Sequence, residues 1–265
     1  MAQPGTYRFV NSDRCNMCRS GVEHQRFIGR RLDHRQGLWP ERKPGITTSI
    51  FRCRVCSLIY ANPLPIPEYL GQHYDVAPED YWTESHFAVP SDYMAHQVKT
   101  FERLTKRAPR DSTALDIGVG LGKAMVALQE AGFDTHGIEP SASFRRAAIE
   151  RKGISPDTLS LVSIEDSDFP QDSFDLINFM VVLEHLVDPA SVLRKVVSWL
   201  KPGGLLYVEV PSSAFLLTRL VRVFYRLTGA NFSINTSPLH PPYHLYEFGL
   251  ESFVKHGPAA GYVVT

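Results

Sequence analysis

The chain has 265 residues, among which 28 basic and 28 acidic side chains balance. This balance excludes the strongly basic surface that general nucleic-acid binding requires, so we expect no nucleic-acid partner. No stretch of about 18 uninterrupted apolar residues occurs, and the first residues lack a basic-then-apolar secretion signal, so we expect a cytoplasmic protein without a transmembrane segment.

Four cysteines near the start of the chain form two Cys-x-x-Cys pairs, Cys15 with Cys18 and Cys53 with Cys56. Each pair can present two sulfurs to one ion, so the pattern predicts a tetrahedral thiolate site for zinc. With all four positions filled, the metal would be structural and not catalytic. Two disulfides or a redox pair are the alternatives, and a cytoplasmic location disfavours both. A loop or hairpin must fill the gap between the pairs.

A proline-rich segment at residues 62–67 follows the second cysteine pair. Prolines fix φ and remove backbone donors, so we expect an extended, semi-rigid connector. Aromatic residues come next, and packing between domains is a plainer role for them than covering a substrate. They are Tyr69, Tyr74, Tyr81 and Trp82. We therefore predict a zinc module at 1–62, a connector at 63–90 and a larger domain at 91–265.

Helix and strand patterns alternate through the larger domain. Residues 91–107 have helical spacing, with Tyr93, Gln97, Phe101 and Leu104 on one face. Strands are predicted near 113–117, 135–139, 160–164, 174–180 and 205–210, and helices near 122–131, 141–152 and 189–200. This alternation predicts an α/β fold with a doubly wound, mainly parallel sheet.

The turn after the first of these strands is the most informative segment. Gly118, Gly120 and Gly122 allow the backbone to turn sharply and a ligand to approach, and the following helix offers free N–H groups. Glu139 closes the next strand, where an acid can accept both ribose hydroxyls. The segment therefore predicts a nucleoside cofactor site. Asp116 before the first glycine, and the early third glycine, depart from the dinucleotide-binding pattern.

This pattern resembles the class I S-adenosylmethionine-dependent methyltransferases, over roughly residues 90–262. Residues 174–180 are similar to the fourth strand of that family, 182–189 to the segment after it, and 200–210 to the entry of the fifth strand. The resemblance implies a Rossmann-like methyltransferase fold. Together with the cysteines, it resembles bacterial small-molecule and sugar methyltransferases that begin with a zinc-ribbon-like module.

The resemblance also implies the cofactor contacts. Asp116, Gly118 and Gly120 would hold the methionine end of S-adenosylmethionine, and Glu139 the ribose. The residues beside the adenine would be Ser163, Ile164 and Glu165, with Met180 near the amino group, and the helix at 91–107 is expected to cover the cofactor side. The family finishes its sheet with a two-stranded hairpin, whereas residues 261–265 can supply only one strand. Either the chain is truncated at its C-terminus or the sheet is incomplete.

An insert at residues 212–246 begins with a predicted amphipathic helix at 214–227. Its apolar face carries Leu217, Leu220, Phe224 and Leu227, and its opposite face carries Arg219, Arg222 and Arg226. The arginines could hold a substrate phosphate or an anionic membrane surface, but a solvated face on a lid helix is the more ordinary interpretation. The second part resembles the family segment that delivers a histidine over the acceptor pocket, with His244 as the counterpart.

Methyl transfer to a hydroxyl requires alignment of two reactants and a base, for which imidazole with a pKa near 6.5 is suitable. His244 is the first candidate, followed by His240 and His185; a structural hydrogen bond is the alternative for each. A catalytic metal held by Glu184, His185 and His244 is disfavoured, because Val181 stands where the resembled ubiquinone-biosynthesis O-methyltransferases have a glutamate.

The sequence thus predicts an enzyme that methylates a small-molecule acceptor, with S-adenosylmethionine as cofactor and one structural zinc. The acceptor is expected to be a hydroxyl of a sugar, a nucleotide-linked sugar or a secondary metabolite. One alternative is a non-catalytic zinc-module adaptor that keeps the fold, against which the intact Asp116, Gly118, Gly120 and Glu139 argue. Another is a nicotinamide-dependent oxidoreductase. The sequence leaves the oligomeric state open.

Overall fold

The computed structural model describes residues 7–32, 46–67, 77–78, 87–239 and 242–265. The chain divides into two compact units. The first combines residues 1–70, 183–191 and 210–265, and the second combines 71–182 and 192–209. The predicted division into a module at 1–62, a connector at 63–90 and a domain at 91–265 differs from these two units, and its boundaries stay predictions. Five residues singled out in the sequence lie outside the described residues: Tyr69, Tyr74, Tyr81, Trp82 and His240.

The described residues contain eleven strands and six α-helices. The strands are β1 (Tyr7–Val10), β2 (Gln25–Leu32), β3 (Thr47–Cys53), β4 (Ile59–Ala61), β5 (Leu64–Pro67), β6 (Thr113–Ile117), β7 (Asp134–Ile138), β8 (Leu159–Ser160), β9 (Phe174–Met180), β10 (Leu200–Glu209) and β11 (Tyr246–Glu247). The helices are α1 (Ala95–Thr105), α2 (Lys123–Glu130), α3 (Ala142–Lys152), α4 (Pro189–Trp199), α5 (Leu216–Leu227) and α6 (Leu250–Ala260).

The first unit contains a four-stranded sheet in the order β11-β4-β3-β2. Strands β2 and β3 pair antiparallel and carry the chain between the two cysteine pairs, as the sequence predicted. Strand β11 joins this sheet by pairing antiparallel with β4. The sequence did not predict β11, because two residues are too few to show a strand period.

The proline-rich segment is extended, as predicted, and Leu64–Pro67 within it form a paired strand; the connector at 63–90 stays a prediction. Strand β5 pairs antiparallel with β1, so that Pro65 lies opposite Phe9 and Pro67 opposite Tyr7. Alternate residues of a two-stranded ribbon direct their backbone N–H away from the partner, and a proline at those positions removes no ladder hydrogen bond. Because Pro65 and Pro67 are two residues apart, both can occupy such positions, and β5 can pair with β1.

The second unit contains the predicted parallel sheet, in the order β10-β9-β6-β7-β8. Its central strands are apolar and buried, as strands covered on both faces must be. The fold class is thereby confirmed. The strand predicted at 160–164 ends at Ser160 because Ser163 closes a turn: its Oγ accepts from the backbone N of Asp166 at 3.1 Å.

The core of the second unit holds the site-forming segments in place. Phe101 of α1, Leu128 of α2 and Leu176 of β9 are fully buried in one cluster. The Phe101 ring packs edge-on against Phe133, with 5.0 Å between ring centroids. This packing fixes α1 and α2 against the sheet.

Residues 261–265 form no strand, so the one additional strand that they could have supplied is not present. Gly261 instead ends α6 with a φ of 83°, and its N–H donates to the Gly257 carbonyl at 2.9 Å. The parallel sheet of the described residues therefore has five strands.

Candidate functional site

The parallel sheet places its ligand-binding edge at the carboxyl ends of β6 and β9. The strand order reverses there, since β7 and β8 continue on one side of β6 whereas β9 and β10 lie on the other. Open α/β sheets bind ligands in the crevice at such a switch point. Asp116 of β6 and Asn178 of β9 are direct neighbours in the register at this edge.

The glycine turn after β6 has the conformation that the sequence predicted. Gly118, Gly120 and Gly122 have φ values of 72°, 53° and 82°, in the region that L side chains rarely adopt. A Cβ on Gly118 would lie 2.5 Å from a methyl of Val182, so a side chain is also sterically excluded there. Gly122 caps α2, whose first N–H groups are directed toward the turn.

Glu139 closes the glycine turn from the end of β7. Its Oε2 accepts from the Gly120 N–H at 2.8 Å, and its Oε1 accepts from the Ser141 N–H at 2.8 Å. The side chain is buried, and burial raises the pKa of Glu139 to about 7 against the opposing effect of these two hydrogen bonds. A carboxylate has about four lone-pair positions, so two acceptor positions remain for ligand hydroxyls.

Asp116 forms a second buried carboxylate near the turn. Its Oδ1 accepts from Asn178 Nδ2 at 2.7 Å, and burial raises the pKa of Asp116 to about 6. Asp116 Oδ2 and Asn178 Oδ1 are buried and make no hydrogen bond of normal geometry to the described residues. Buried acceptors are normally satisfied, so this pair fits a ligand that donates hydrogen bonds, such as an ammonium group.

The residues predicted beside the adenine lie in the turn after β8. Lys195 Nζ donates to the carbonyls of Ile164 and Glu165 at 3.1 and 2.9 Å, while Ser163 Oγ donates to Asp166. These bonds fix the turn. Met180 ends β9 and packs against the core cluster of this unit. The adenine and amino-group contacts of these four residues stay predictions.

Sequence reasoning missed the polar residues that accompany Asp116. Asn178 is completely buried in an apolar strand, and that isolated amide was the signal that could have identified it. Near the start of α1, Gln97 donates to the Tyr207 hydroxyl at 3.1 Å. Burial, followed by the negative charges of Asp116 and Glu209, raises the pKa of Tyr93, which places this phenol in the same electrostatic environment.

The first unit brings the four predicted cysteines together. The four sulfur atoms lie within 4.8 Å of one another; Cys15 and Cys56 are 3.5 Å apart, and Cys18 and Cys53 are 3.6 Å apart. None of the four forms a disulfide. Tetrahedral zinc with Zn–S bonds of about 2.3 Å requires sulfur separations of about 3.8 Å. The donor set therefore fits a structural zinc ion.

Each cysteine pair lies in a tight turn that aims both sulfurs inward. In the first turn the Arg19 N–H donates to the Cys15 carbonyl at 3.0 Å, and in the second the Ser57 N–H donates to the Cys53 carbonyl at 3.0 Å. Arg19 and Ser57 have φ values of 61° and 65°. Hydrogen bonds from Cys15 and Cys56 lower the pKa of Cys53 far below its usual range.

A second polar cluster in the first unit contains two of the predicted histidines. Glu184, His185 and His244 each direct a ligand-type atom to within 4.8 Å of the others. His244 Nε2 lies 3.6 Å from Glu184 Oε1, and the His185 and His244 rings meet edge to face at 4.9 Å. The Leu245 N–H donates to the Glu184 carbonyl at 2.9 Å, which holds the two segments together.

The pKa of His244 differs from that expected for an ordinary imidazole. Burial, and then the proximity of His185, lower the pKa of His244 to about 3. The ring is therefore neutral at pH 7 and has a lone pair that can accept a proton. A base of this pKa is intrinsically weak, so it requires a neighbouring negative group to stabilise the protonated ring. Glu184, which is completely buried, is such a neighbour.

Comparison with known families identifies the class of protein. The family model described as "Methyltransferase domain" matches residues 91–244, which is more than half of the chain. The chain therefore belongs to this methyltransferase family. Two predictions are thereby confirmed at the level of the family: that the chain resembles the class I S-adenosylmethionine-dependent methyltransferases, and that it is an enzyme.

Individual relatives match only part of the chain. It is 32% identical over 99 residues to the ubiquinone biosynthesis O-methyltransferase of Aeromonas salmonicida (strain A449), covering 36% of this chain and 41% of the relative. It is 32% identical over 130 residues to the tRNA U34 carboxymethyltransferase of Desulfotalea psychrophila (strain LSv54 / DSM 12343), covering 46% of this chain and 40% of the relative. Among solved structures, the crystal structure of the YcgJ protein of Bacillus subtilis superposes on this chain with a TM-score of 0.46 and 21% sequence identity. The match covers 63% of this chain and 68% of YcgJ.

No helix within the described ranges is both long enough and apolar enough to cross a membrane.

Proposed function

We propose that this protein transfers a methyl group from S-adenosylmethionine to a small-molecule acceptor. The observation that carries the proposal is the pair of buried carboxylates, Asp116 and Glu139, beside the glycine turn at the switch point of the sheet. When bound, the cofactor supplies an electrophilic methyl group. The chain's own task is then to hold both reactants in line, exclude water and remove one proton.

The described contacts support specific roles for the cofactor-binding residues. Asp116 would accept hydrogen bonds from the methionine ammonium, since its Oδ2 is a buried acceptor without a normal hydrogen bond among the described residues. Gly118 and Gly120 would allow close approach of the ligand backbone. Glu139 would accept both ribose hydroxyls on its remaining lone pairs while it continues to fix the Gly120 and Ser141 amides.

The proposed acceptor group is a hydroxyl, of a sugar, a nucleotide-linked sugar or a secondary metabolite. His244 would accept the hydroxyl proton on Nδ1, because Nε2 faces Glu184. Glu184 would stabilise the imidazolium that forms, as a carboxylate does beside other catalytic histidines. One relative has a name that specifies tRNA, so the expectation that nucleic acid is not a partner is not supported, and tRNA belongs among the acceptors to be tested.

A metal-assisted version of this reaction is the second candidate. It is favoured by the geometry of Glu184, His185 and His244, whose donor atoms lie within 4.8 Å of one another. One carboxylate and two imidazoles are a donor set that suits several divalent transition metals. Val181, where related enzymes have a glutamate, is half-exposed and supplies no ligand atom. Metal analysis of the active protein separates the two versions: one ion per chain, held by the four cysteines, is expected if His244 acts as a base alone, and two ions per chain if Glu184, His185 and His244 hold a second one.

We further propose that the four cysteines hold one structural zinc in a protein of the cytoplasm. The sulfur separations support the metal, and four free thiols support a reducing compartment. Metal analysis of protein purified without added zinc should find one zinc per chain. Oxidation of the thiols in pairs, without metal, would refute the zinc proposal.

Calorimetric titration with S-adenosylmethionine and with NAD distinguishes the proposed function from its alternatives. We expect micromolar-range binding of S-adenosylmethionine and none of NAD; the reverse would indicate an oxidoreductase. Metabolite pools incubated with a methyl-labelled cofactor then reveal the acceptor. If the protein binds the cofactor but transfers no labelled methyl group to any metabolite pool or to tRNA, the result would favour the non-catalytic zinc-module adaptor over an enzyme.

A further inference from the structure

Helix α5 in the first unit directs its apolar face toward solvent. The large apolar side chains on that face are all more than half exposed; they are Phe215, immediately before the helix, and Leu216, Leu217, Leu220, Val223, Phe224 and Leu227. The half-buried residues form the other stripe: Thr218, Val221, Arg222 and Tyr225. A surface helix normally buries its apolar stripe and exposes its charged one. In α5 the apolar stripe is exposed instead, with Arg219 and Arg226 exposed beside it.

Contacts at both ends of α5 fix this orientation. Before the helix, the Ser213 N–H donates to the Phe248 carbonyl at 2.8 Å. After it, the Arg30 N–H of β2 donates to the Asn231 carbonyl at 2.7 Å, and the Tyr225 ring packs edge-on against Phe232 at 5.6 Å. The helix is thus attached to the unit through its half-buried stripe. Its outward apolar face is available to another surface.

Positive charge accompanies the apolar face. Residues 210–246 contain no Asp or Glu, although acidic and basic residues balance over the whole chain. Arg219 and Arg226 are exposed on α5. Burial, followed by the charges of Arg226, Arg52, Arg26 and Arg219, lowers the pKa of Arg222, so five guanidinium groups share this region of the first unit.

We propose that α5 and its flanking arginines dock this protein onto an anionic phospholipid surface. Twelve residues span about 18 Å, which is too short to cross a bilayer but suitable for lying in its interface. A helix with leucine and phenylalanine on one face and arginine beside it has the composition of interfacial helices. A second copy of the chain is a less suitable occupant, because pairing two such faces would bring arginines together without a compensating acid from this segment.

Vesicle co-sedimentation of the full chain tests the docking surface. The wild-type protein should bind vesicles that contain phosphatidylglycerol at least tenfold more strongly than vesicles of phosphatidylcholine alone, and added salt should weaken the binding. The double variant Leu220→Glu/Phe224→Glu should lose at least tenfold in affinity. Leu250→Glu is the matched control, since Leu250 is 69% exposed on α6, and it should bind like wild type.

A second pair of variants tests the charge. Arg219→Gln/Arg226→Gln should weaken binding to anionic vesicles by roughly fivefold for each residue, while Arg110→Gln, at an exposed position of a short 3-10 helix, should not. Circular dichroism and melting temperatures verify that every variant is folded. Absence of vesicle binding in the wild type, or equal binding by Leu220→Glu/Phe224→Glu, would overturn the proposal. A dimer that Phe224→Glu dissociates, without vesicle binding, would assign the face to self-association instead.

Discussion

Affinity for S-adenosylmethionine should depend on pH through Glu139. Free of ligand, this carboxyl has a pKa of about 7 because burial disfavours its ionised form. Two donating ribose hydroxyls favour the ionised form, so binding should release a proton and affinity should rise with pH. Between pH 5.5 and 7.5 the ionised fraction of Glu139 rises from about one in thirty to about three in four, which predicts an increase of about 25-fold in affinity from Glu139 alone.

The variant Glu139→Gln isolates this contribution. It removes the Glu139 titration, so the pH dependence should fall from about 100-fold in the wild type, the product of the two contributions, to the roughly fourfold change that Asp116, with a pKa of about 6, contributes over the same interval. Affinity at pH 7.5 should fall at least tenfold, because charge-assisted hydrogen bonds contribute about 1.5–3 kcal/mol. Calorimetry in two buffers of different ionisation enthalpy measures the released protons directly. Affinity that is independent of pH, or proton uptake on binding, would refute the reasoning.

Stability without ligand should change in the opposite direction. The folded protein retains the Glu139 proton up to a pH of about 7, whereas the unfolded chain loses it near its ordinary value of 4.5. Because the folded state then binds more protons, its free energy of unfolding should fall as the pH rises through this interval. The melting temperature of wild type, relative to Glu139→Gln, should therefore decrease from pH 5 to pH 7.5.

Three further predictions concern other parts of the chain. His244→Asn should lower turnover by roughly 10²–10⁴ with cofactor affinity nearly unchanged, and turnover like wild type would make the histidine structural. Gly118→Ala should destabilise more than Gly203→Ala: both glycines have positive φ, but only at Gly118 would the new methyl meet another side chain, 2.5 Å away. Thermal unfolding measures the difference, and equal melting temperatures would contradict it. If the four cysteines hold zinc, as proposed, a chelator should reduce methyl transfer more than cofactor binding, which activity assays and calorimetry on the same sample would measure.

Much of the parallel sheet could be predicted because its signals are local. Strand β9 coincides with the apolar run at 174–180, and α3 ends within a residue of its predicted end at 152. The glycine turn is equally local, since positive φ at Gly118 follows from the residue type and its place after a strand. Residue type and periodicity over five to ten positions suffice for such elements.

Other features could not be predicted because distant residues determine them. Pairing of β1 with β5 depends on how Tyr7 and Pro67 meet, and no local pattern specifies that register. The lowered pKa of His244 depends on burial, which spacing does not reveal. The outward orientation of the apolar face of α5 was also missed, since periodicity defines an apolar stripe but not the direction in which it points.

One sheet connects the thiolate cluster to the histidine cluster within the first unit. Strand β4 begins three residues after Cys56, and its partner β11 begins two residues after His244, with Tyr60 opposite Tyr246. The Tyr246 hydroxyl donates to the Val187 carbonyl at 3.0 Å, which ties the same strand to the segment that carries Glu184. Loss of the proposed zinc should therefore disturb the proposed base through the pairing of β4 with β11. The glycines and carboxylates proposed to bind the cofactor belong to the other unit, which has its own sheet and core, so cofactor binding should respond less to a chelator than methyl transfer does.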